Sequence, residues 1–244
     1  MSAGTTPPGA AGEDEAARWV RRMFASVAHR YDLLNHLLSF NADRSWRRRT
    51  VERVAPVLAM PSARILDLCC GTGDLVLALE ARRGAAVWGC DFCRPMLEIA
   101  RRKFAAAGSR ASLIEADVLR LPLPSNSLDL VTVAFGFRNL ASYRAGLEEM
   151  ARVLRPGGLA AILEFSRPPS RLFARLYDLY SRRVLPAIGG ALSGSREAYT
   201  YLPDSVRRFP DAETLAAEMR GAGFDEVTFE RLTAGIVALH LGRR

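Results

Sequence analysis

The chain has 244 residues, of which 49% are hydrophobic and 25% are charged, as in ordinary soluble globular proteins. This length predicts one domain with a full core, and no apolar run reaches the roughly 18 residues of a membrane-spanning helix. No signal-peptide pattern opens the chain, so we expect a cytoplasmic protein. The net charge of +8 comes almost wholly from arginine and indicates an anionic partner: a nucleic acid, an acidic substrate or an anionic bilayer.

The N-terminal quarter of the chain precedes the first strand. Residues 1–15 are rich in small residues, proline and acids and are predicted to be a disordered tail, with a single domain over residues 16–244. Apolar side chains recur at helical intervals in residues 16–60, which predicts a helical addition to the sheet. Polar groups interrupt its apolar face, so it is either a packing helix pair or a flap over the site: His29, Tyr31, Asp32, Asn35 and His36.

A glycine turn follows the first predicted strand, residues 64–68. It reads Gly71-Thr72-Gly73-Asp74 and leads into apolar residues at helical spacing, which predicts the first β-turn-α unit of a nucleotide-binding α/β sheet. Glycines let a ligand approach the backbone, and the helix N-terminus offers unpaired N–H groups. A dinucleotide site needs a third glycine where this chain has Val76. The loop instead resembles the S-adenosylmethionine (SAM) loop of class I methyltransferases.

Acidic residues end the next two predicted strands. Asp91 lies 18 residues beyond Gly73, near the offset at which an acid accepts the hydroxyls of a ribose; the alternative is a helix cap. After the third strand, Asp117 is placed to accept from an adenine amino group, while the N–H of Val118 meets a ring nitrogen. Residues 128–134 form a near-continuous apolar run, which predicts a strand buried on both faces.

Four cysteines follow the first two strands. Their spacing matches no common zinc pattern, and adjacent cysteines rarely bind the same ion. We therefore predict no metal site, and expect small packing residues in a reducing compartment: Cys69, Cys70, Cys90 and Cys93.

The C-terminal half is predicted to hold a helix, a Pro-Gly-Gly turn, a fifth strand, and a final helix and hairpin with one antiparallel strand. Residues 166–210 are too long for a simple connection and are predicted to be a lid or insert. Their apolar stripe, from Leu172 to Val184, is flanked by arginines. A basic amphipathic helix of this kind either lies on a membrane surface or packs on its own domain.

Several segments together resemble one family, the ubiquinone/menaquinone biosynthesis C-methyltransferases, from about Phe24 to the C-terminus. The Tyr-Asp-Asn segment and the Phe-Gly-x-Arg-Asn segment are more selective than the glycine loop. The residues that carry the resemblance are Phe24–Asn35, Leu38–Phe40, Trp46–Arg47, Gly71–Asp74, Phe135–Asn139 and Gly235–His240.

The resemblance implies a class I SAM-methyltransferase (Rossmann-like) fold: a doubly wound, mostly parallel seven-stranded sheet with an N-terminal helical addition and a helical insert before the last strands. It implies SAM-dependent methylation of a ring carbon of a polyprenylated quinol, either demethylmenaquinol, which we favour, or a ubiquinone precursor. The enzyme is then cytoplasmic, in contact with the inner face of the membrane. The oligomeric state stays open, with a homodimer as one alternative.

By analogy with the family, SAM binds at Thr72, Asp91, Asp117, Val118 and Ala134, with Gly71, Gly73 and Asp74 forming the loop. The chain departs from the family pattern at several positions. Asparagine is frequent where this chain has Asp117, and serine where it has Ala134. Asn41 replaces a usual glycine, whose positive φ asparagine can adopt.

The expected chemistry needs a carbon nucleophile in line with the methyl group, and a base or cation that favours the phenolate. We expect Arg138 to stabilise the phenolate and Asn139 to orient a ring oxygen; the alternative for Arg138 is a surface arginine that caps a helix. The base is not identified, and His29, Tyr31 and Asp32 are the candidates. The aromatic side chains expected to wall the isoprenoid tail are Phe137, Phe165, Tyr177 and Tyr201.

Two other functions fit parts of the sequence. A nucleic-acid methyltransferase would use the positive charge and predicts arginines gathered on one face, but it leaves the Phe-Gly-x-Arg-Asn segment unexplained, so no nucleic acid is expected. A SAM-fold binding protein without activity is disfavoured by the presence of Asp74, Asp91 and Arg138.

Overall fold

A computed structural model describes residues 4–180 and 196–244. In this part of the chain seven strands form one sheet in the order β3-β2-β1-β4-β5-β7-β6. β7 runs antiparallel to the other six strands, which confirms the predicted mostly parallel, doubly wound sheet and its C-terminal hairpin. The strands are β1 Ile65–Leu68, β2 Trp88–Asp91, β3 Ser112–Glu115, β4 Leu128–Ala134, β5 Leu154–Phe165, β6 Asp225–Leu232 and β7 Val237–Arg243.

Helices cover both faces of the sheet, which is why β1 and β4 are apolar on both sides. α3, α4 and α5 pack on one face, and α6 and α9 pack on the other. The first three helices precede β1, as predicted for the N-terminal addition. The helices are α1 Glu13–Val27, α2 Tyr31–Leu38, α3 Ala42–Leu58, α4 Asp74–Arg83, α5 Arg94–Ala106, α6 Tyr143–Val153, α7 Arg171–Leu179, α8 Arg196–Arg208 and α9 Ala212–Gly221.

The turn between β1 and α4 requires its glycines. Gly71 and Gly73 have φ of +54° and +86°, in the left-handed region that glycine adopts without strain. A Cβ on Gly73 would lie 2.4 Å from Cε1 of Phe104, so a larger residue would also push α5 away. The turn therefore brings α4 and α5 together at the carboxyl edge of the sheet, where ligands bind in doubly wound folds.

The structure differs from the expected disordered tail over residues 4–15. Thr5 is buried, its backbone N–H donates to the carbonyl oxygen of Leu140 at 2.8 Å, and its hydroxyl lies 2.7 Å from that of Tyr201. Helix α1 begins at Glu13. Thr5 therefore packs on the body of the protein, because its backbone and its hydroxyl find partners in the loop after β4 and in Tyr201.

The predicted insert, residues 166–210, contains α7 and α8. The part of the predicted amphipathic stripe that includes Arg182, Arg183 and Val184 lies outside the described residues. Within residues 4–180 and 196–244, no helix combines the length and apolar character needed to cross a membrane.

His240 supplies a pH-dependent term in stability. It is 2% exposed on β7, where its Nε2–H donates to the carbonyl oxygen of Ala212 at 2.9 Å. Burial lowers the pKa of His240 from 6.5 to about 4, so the unfolded chain takes up a proton that the folded chain refuses. The free energy of unfolding should therefore fall by up to about 3 kcal/mol as the pH drops from 6.5 to 4. Urea unfolding of wild type and His240→Gln across this range should show a shallower dependence in the variant; parallel curves would contradict the assignment.

Candidate active site

Two cavities meet at the carboxyl edge of the sheet. The first lies over the ends of β1, β2 and β3, and the second is an apolar chamber of about 400 Å³ under α1, α2, α7 and α8. The side chains of Phe24, Tyr31 and Phe135 line both, so these three residues form the boundary between the two cavities.

Asp91, at the end of β2, is the buried acid of the first cavity. Its Oδ2 accepts the N–H of Gly71 at 2.9 Å, and its Oδ1 accepts the N–H of Cys93 at 2.8 Å. Burial raises the pKa of Asp91, and hydrogen bonds from backbone N–H groups, that of Cys93 first, oppose the rise. Each carboxylate oxygen keeps a second lone pair. Asp91 therefore both ties the glycine loop to α5 and presents acceptor sites for a pair of hydroxyl groups.

The far end of the first cavity is formed by the loop after β3. Asp117 and Val118 line it, and the Oδ1 of Asp117 accepts the N–H of Leu119 at 2.9 Å. Met96, Leu119 and Leu140 add apolar walls that the sequence analysis missed. An apolar slot with polar groups at its two ends fits a nucleoside, with the ribose end at Asp91. The chain therefore fits SAM at this position.

Four of the residues expected to bind SAM lie outside the first cavity. Gly73 shapes the turn, and Ala134 packs against the core. The hydroxyl of Thr72 donates to Oδ1 of Asp32 at 2.5 Å, and Asp74 pairs with Lys103. The side chains of Thr72 and Asp74 thus hold other parts of the protein, and their binding of SAM stays a prediction.

An ionic network fastens α2 to the glycine loop. Lys103, the single lysine of the chain, contacts Asp74 and donates to Oδ2 of Asp32 at 2.8 Å. Burial alone would lower the pKa of Lys103, but its hydrogen bonds to the two carboxylates outweigh burial and raise it. Arg47 extends the network from Asp74, at 3.5 Å, to Asp43 on the wall of the second cavity. In the structure the side chain of Asp32, one of the candidate bases, therefore connects α2 to Thr72 and Lys103.

Replacing Lys103 with methionine should loosen α2. Asp32 and Asp74 would then repel each other without a cation between them. We expect Tm to fall by about 2–4 °C, because this partly exposed network contributes about 1 kcal/mol. The KM for SAM should rise several-fold, because the glycine loop loses its link to α2. Thermal unfolding and initial rates measure the two effects. Lys103→Arg keeps the charge and should restore most of both; an unchanged KM in the methionine variant would contradict a link between α2 and the loop.

Arg138 lies inside the protein, in the 3-10 turn Phe137–Asn139 after β4, and lines the second cavity. It is 5% exposed, so it is not the surface cap that was the alternative. Its Nη1 donates to Oε1 of Glu164 at 3.0 Å, and its backbone N–H donates to Oε2 at 3.1 Å. Burial opposes its charged form, but the charge of Glu164 outweighs burial and raises the pKa of Arg138. Its buried Nε–H has no partner within the described residues.

Asn139 lines the first cavity, whereas its neighbour Arg138 lines the second. Its Oδ1 accepts from the hydroxyl of Tyr201 at 3.0 Å, and Tyr201 in turn contacts Thr5. Asn139 therefore takes part in a hydrogen-bonded link between the two cavities, and its contact with a ring oxygen of the substrate stays a prediction.

The three candidate bases are separated by the fold. His29 is exposed and lines neither cavity, so it is displaced from the predicted site. Tyr31 alone of the three lines both cavities. Burial raises the pKa of Tyr31, while Asn35, Arg138 and Arg47 favour its anion.

Aromatic rings line much of the apolar chamber. Phe165, Tyr177 and Tyr201 are in its wall as predicted, but Phe137 is not. Phe137 is 1% exposed and packs on Tyr143 and Phe209 in the core. Sequence reasoning missed Phe135, whose positive φ of 58° turns the chain directly after β4. The large residue just after a buried strand was the available signal.

The four cysteines are free thiols near the first cavity. Burial raises the pKa of Cys90 to about 12 and that of Cys93 to about 11. These groups therefore stay protonated at neutral pH and act as small packing side chains.

Comparison with known proteins gives a consistent result. The model of the ubiE/COQ5 methyltransferase family matches residues 11–244. A demethylmenaquinone methyltransferase from Thermus thermophilus is 53% identical over 225 residues, 91% of this chain and 100% of that protein. A ubiquinone/menaquinone biosynthesis C-methyltransferase UbiE from Shewanella frigidimarina is 41% identical over 234 residues, 94% of this chain and 92% of that protein.

The fold is also shared with solved structures. A SAM-dependent methyltransferase from Thermotoga maritima aligns with a TM-score of 0.65 at 20% sequence identity, covering 92% of this chain and 99% of that one. This likeness confirms the class I SAM-methyltransferase fold that the sequence resemblance implies.

Proposed function

The chain belongs to the ubiE/COQ5 methyltransferase family, and from this premise we propose that it transfers a methyl group from SAM to a ring carbon of demethylmenaquinol. The 53% identity to a demethylmenaquinone methyltransferase favours this acceptor over a ubiquinone precursor. The single observation that carries the proposal is the junction of a polar cavity and an apolar chamber at Tyr31 and Phe135. A quinol head group at this junction would have its tail in the chamber.

The residues of the chain perform three tasks in this reaction. Bound SAM supplies a methyl group on a sulfonium, which requires no covalent enzyme intermediate and no metal ion. Asp91 and the loop from Asp117 to Leu119 hold the nucleoside end. Arg138 then stabilises the phenolate that makes the ring carbon nucleophilic, through its charge and its unpaired Nε–H. The apolar chamber excludes water from the junction.

Glu164 sets the position of Arg138. The ion pair and the hydrogen bond to the backbone hold the guanidinium in one rotamer. Its ring contact with Phe165, at 5.2 Å from the centroid, keeps it beside the chamber. A fixed donor needs little reorganisation when charge develops on the substrate oxygen.

We propose that the hydroxyl of Tyr31, which lies at the junction, donates a hydrogen bond to the quinol oxygen and positions the ring, because burial raises the pKa of Tyr31 and keeps this hydroxyl protonated at neutral pH. The quinol hydroxyl loses its proton to solvent when the phenolate forms beside Arg138. Tyr31→Phe should lower kcat by roughly 10²-fold and leave the Kd of SAM nearly unchanged. His29→Gln, at an exposed position, should keep wild-type kcat. Because the raised pKa of Tyr31 keeps its hydroxyl protonated throughout pH 6 to 10, the phenylalanine variant should lose the same factor in kcat at every pH in this range. A larger loss in His29→Gln than in Tyr31→Phe would contradict this assignment.

The proposed function is tested by incubating the protein with methyl-labelled SAM and one acceptor at a time. Label should enter demethylmenaquinol, and enter a polyprenyl-benzoquinol or RNA at a far lower rate. Labelled RNA would support the nucleic-acid alternative, and SAM binding without transfer to any acceptor would support a binding protein. We propose that the enzyme acts in the cytoplasm at the inner face of the membrane, where its acceptor resides.

A further inference from the structure

Exposed apolar side chains are concentrated on one side of the protein. Seven large apolar residues in the described part of the chain are exposed, and five of them lie on α2, on the turn after it, or on α7. We call these five the apolar rim: Leu33 (65% exposed), Leu37 (44%), Phe40 (78%), Leu172 (70%) and Leu179 (51%). The other two lie elsewhere: Met60 is two residues after the end of α3, and Trp88 is the first residue of β2.

The rim is one surface because its two helices touch. The hydroxyl of Tyr180, just after α7, donates to the carbonyl oxygen of Leu38 at 3.0 Å. The rings of Phe40 and Tyr180 are 6.2 Å apart between centroids. Leu33 and Leu37 are four residues apart on α2, and Leu172 and Leu179 are seven apart on α7, so each pair lies on one helix face.

The rim surrounds the mouth of the apolar chamber. Phe40 lines the chamber and yet leaves 78% of its surface in solvent, which places the opening beside it. Phe173 and Tyr177 turn inward from α7 while Leu172 and Leu179 turn outward. Phe40 also has a φ of +52°, which costs a bulky residue about 1 kcal/mol. The fold thus holds an exposed aromatic ring at the entrance in a conformation that aromatic residues disfavour.

Exposed basic residues lie close to the apolar residues of both helices. Arg30 ends the 3-10 turn directly before α2, three residues from Leu33, and Arg175 lies between Leu172 and Leu179 on α7. Apolar side chains with arginines at their borders are the composition that binds the headgroup region of an anionic bilayer.

We propose that the apolar rim docks on an anionic lipid bilayer and opens the chamber directly to the hydrocarbon. This proposal rests on the proposed function, because a polyprenyl tail must pass from lipid into the chamber. A bilayer covers the rim and still admits the tail, whereas a second copy of the chain or another protein would close the mouth. Docking here lets the tail move between two apolar environments without crossing water.

The test measures binding of the full chain to lipid vesicles in the absence of SAM and quinol. Sedimentation with phosphatidylcholine vesicles that contain about one third phosphatidylglycerol should retain the wild-type protein. The rim variant Leu33→Ser/Leu172→Ser should bind at least about tenfold more weakly. The matched control, Met60→Ser/Trp88→Ser, removes two exposed apolar side chains elsewhere and should bind as wild type. Equal binding by the rim and control variants would overturn the proposal.

Charge gives a second variant that does not alter the apolar residues. Arg175→Glu should weaken binding to the anionic vesicles several-fold. The control Arg82→Glu, at an exposed position of α4, changes the net charge by the same amount and should bind as wild type. An equal loss of vesicle binding in the two variants would show that net charge alone attracts the protein to the vesicles, and it would overturn the proposed docking surface. If sedimentation equilibrium shows a dimer that the rim variant dissociates while vesicle binding persists, a second copy covers the rim and the proposal is wrong.

Activity measurements separate this proposal from the proposed function. On a demethylmenaquinol analogue without a tail, free in buffer, the rim variant should turn over as wild type. On a long-tailed quinol in vesicles it should be slower. If neither quinol is methylated but the rim variant alone loses vesicle binding, the docking surface stands and the proposed function fails. If both quinols are methylated equally by the wild type and the rim variant, the docking surface fails and the function stands.

Discussion

Arg138→Met should lower kcat by roughly 10²- to 10³-fold and change the Kd of SAM by less than about threefold. The guanidinium lines the chamber beside the junction at which the quinol head group is proposed to lie, and it does not line the first cavity. Its loss removes a cation that acts when negative charge develops on the ring oxygen. Single-turnover rates with saturating SAM, together with calorimetric titration of SAM, measure the two quantities separately. Equal loss of turnover and of SAM affinity would contradict the role.

The control for this variant concerns folding. Removing Arg138 leaves Glu164, 1% exposed, as an unpaired buried charge, which costs about 3–5 kcal/mol. The double variant Arg138→Met/Glu164→Gln removes both charges and should recover most of the stability without recovering turnover. Glu164→Gln alone leaves the guanidinium in place but loosens it, so we expect an intermediate kcat. A double variant with wild-type turnover would show that the pair serves only the fold.

Asp91→Ala should weaken SAM binding by about 10²-fold or more. Two hydroxyl hydrogen bonds to a carboxylate are worth roughly 3 kcal/mol together, and this energy corresponds to that change in Kd. The same substitution releases the N–H groups of Gly71 and Cys93. Asp91→Asn keeps one side-chain oxygen that accepts hydrogen bonds, so it should weaken SAM binding less than Asp91→Ala does. Calorimetry with SAM measures the change in Kd.

A ligand that lacks one ribose hydroxyl shows whether Asp91 contacts the ribose or only holds the glycine loop in place. S-adenosylhomocysteine that lacks the 2′-hydroxyl has lost one of the partners proposed for Asp91. The penalty of Asp91→Ala should therefore be smaller for this ligand than for S-adenosylhomocysteine itself, because the two changes remove the same interaction. An equal penalty for both ligands would mean that Asp91 acts only by holding the loop. Asp117→Ala, at the other end of the cavity, should show no such difference.

Local patterns in the sequence predicted the sheet edge of the site well. Buried strands, a glycine turn and acids at strand ends repeat along the chain, and parallel strands bring their carboxyl ends to one edge. Gly71, Asp91, Asp117 and Val118 accordingly line one cavity. Asn41 has a φ of +60°, as its replacement of glycine predicted. These residues act through backbone geometry and strand position, both of which sequence spacing encodes.

Contacts between distant segments could not be read from spacing. Asp32 binds Lys103, 71 residues away, and Tyr201 joins Thr5 to Asn139. Asp32 and Tyr31 are adjacent, but a helix directs neighbouring side chains to different sides. One residue therefore fastens α2 to the loop while the other reaches the junction. The sequence named both as candidates and had no means to separate them.

The sequence by itself determined the mostly parallel doubly wound sheet, the glycine turn, the acids at the sheet edge and the family to which the chain belongs. Each of these depends on residues close together in the chain or on a pattern that all members of the fold repeat. Only the tertiary structure decided which polar residues line the two cavities, that Arg138 is buried against Glu164, and that an apolar rim surrounds the mouth of the chamber. The reason is physical. The partner of each of these side chains depends on how α1, α2, α7 and the sheet pack together, and no local sequence pattern specifies that packing.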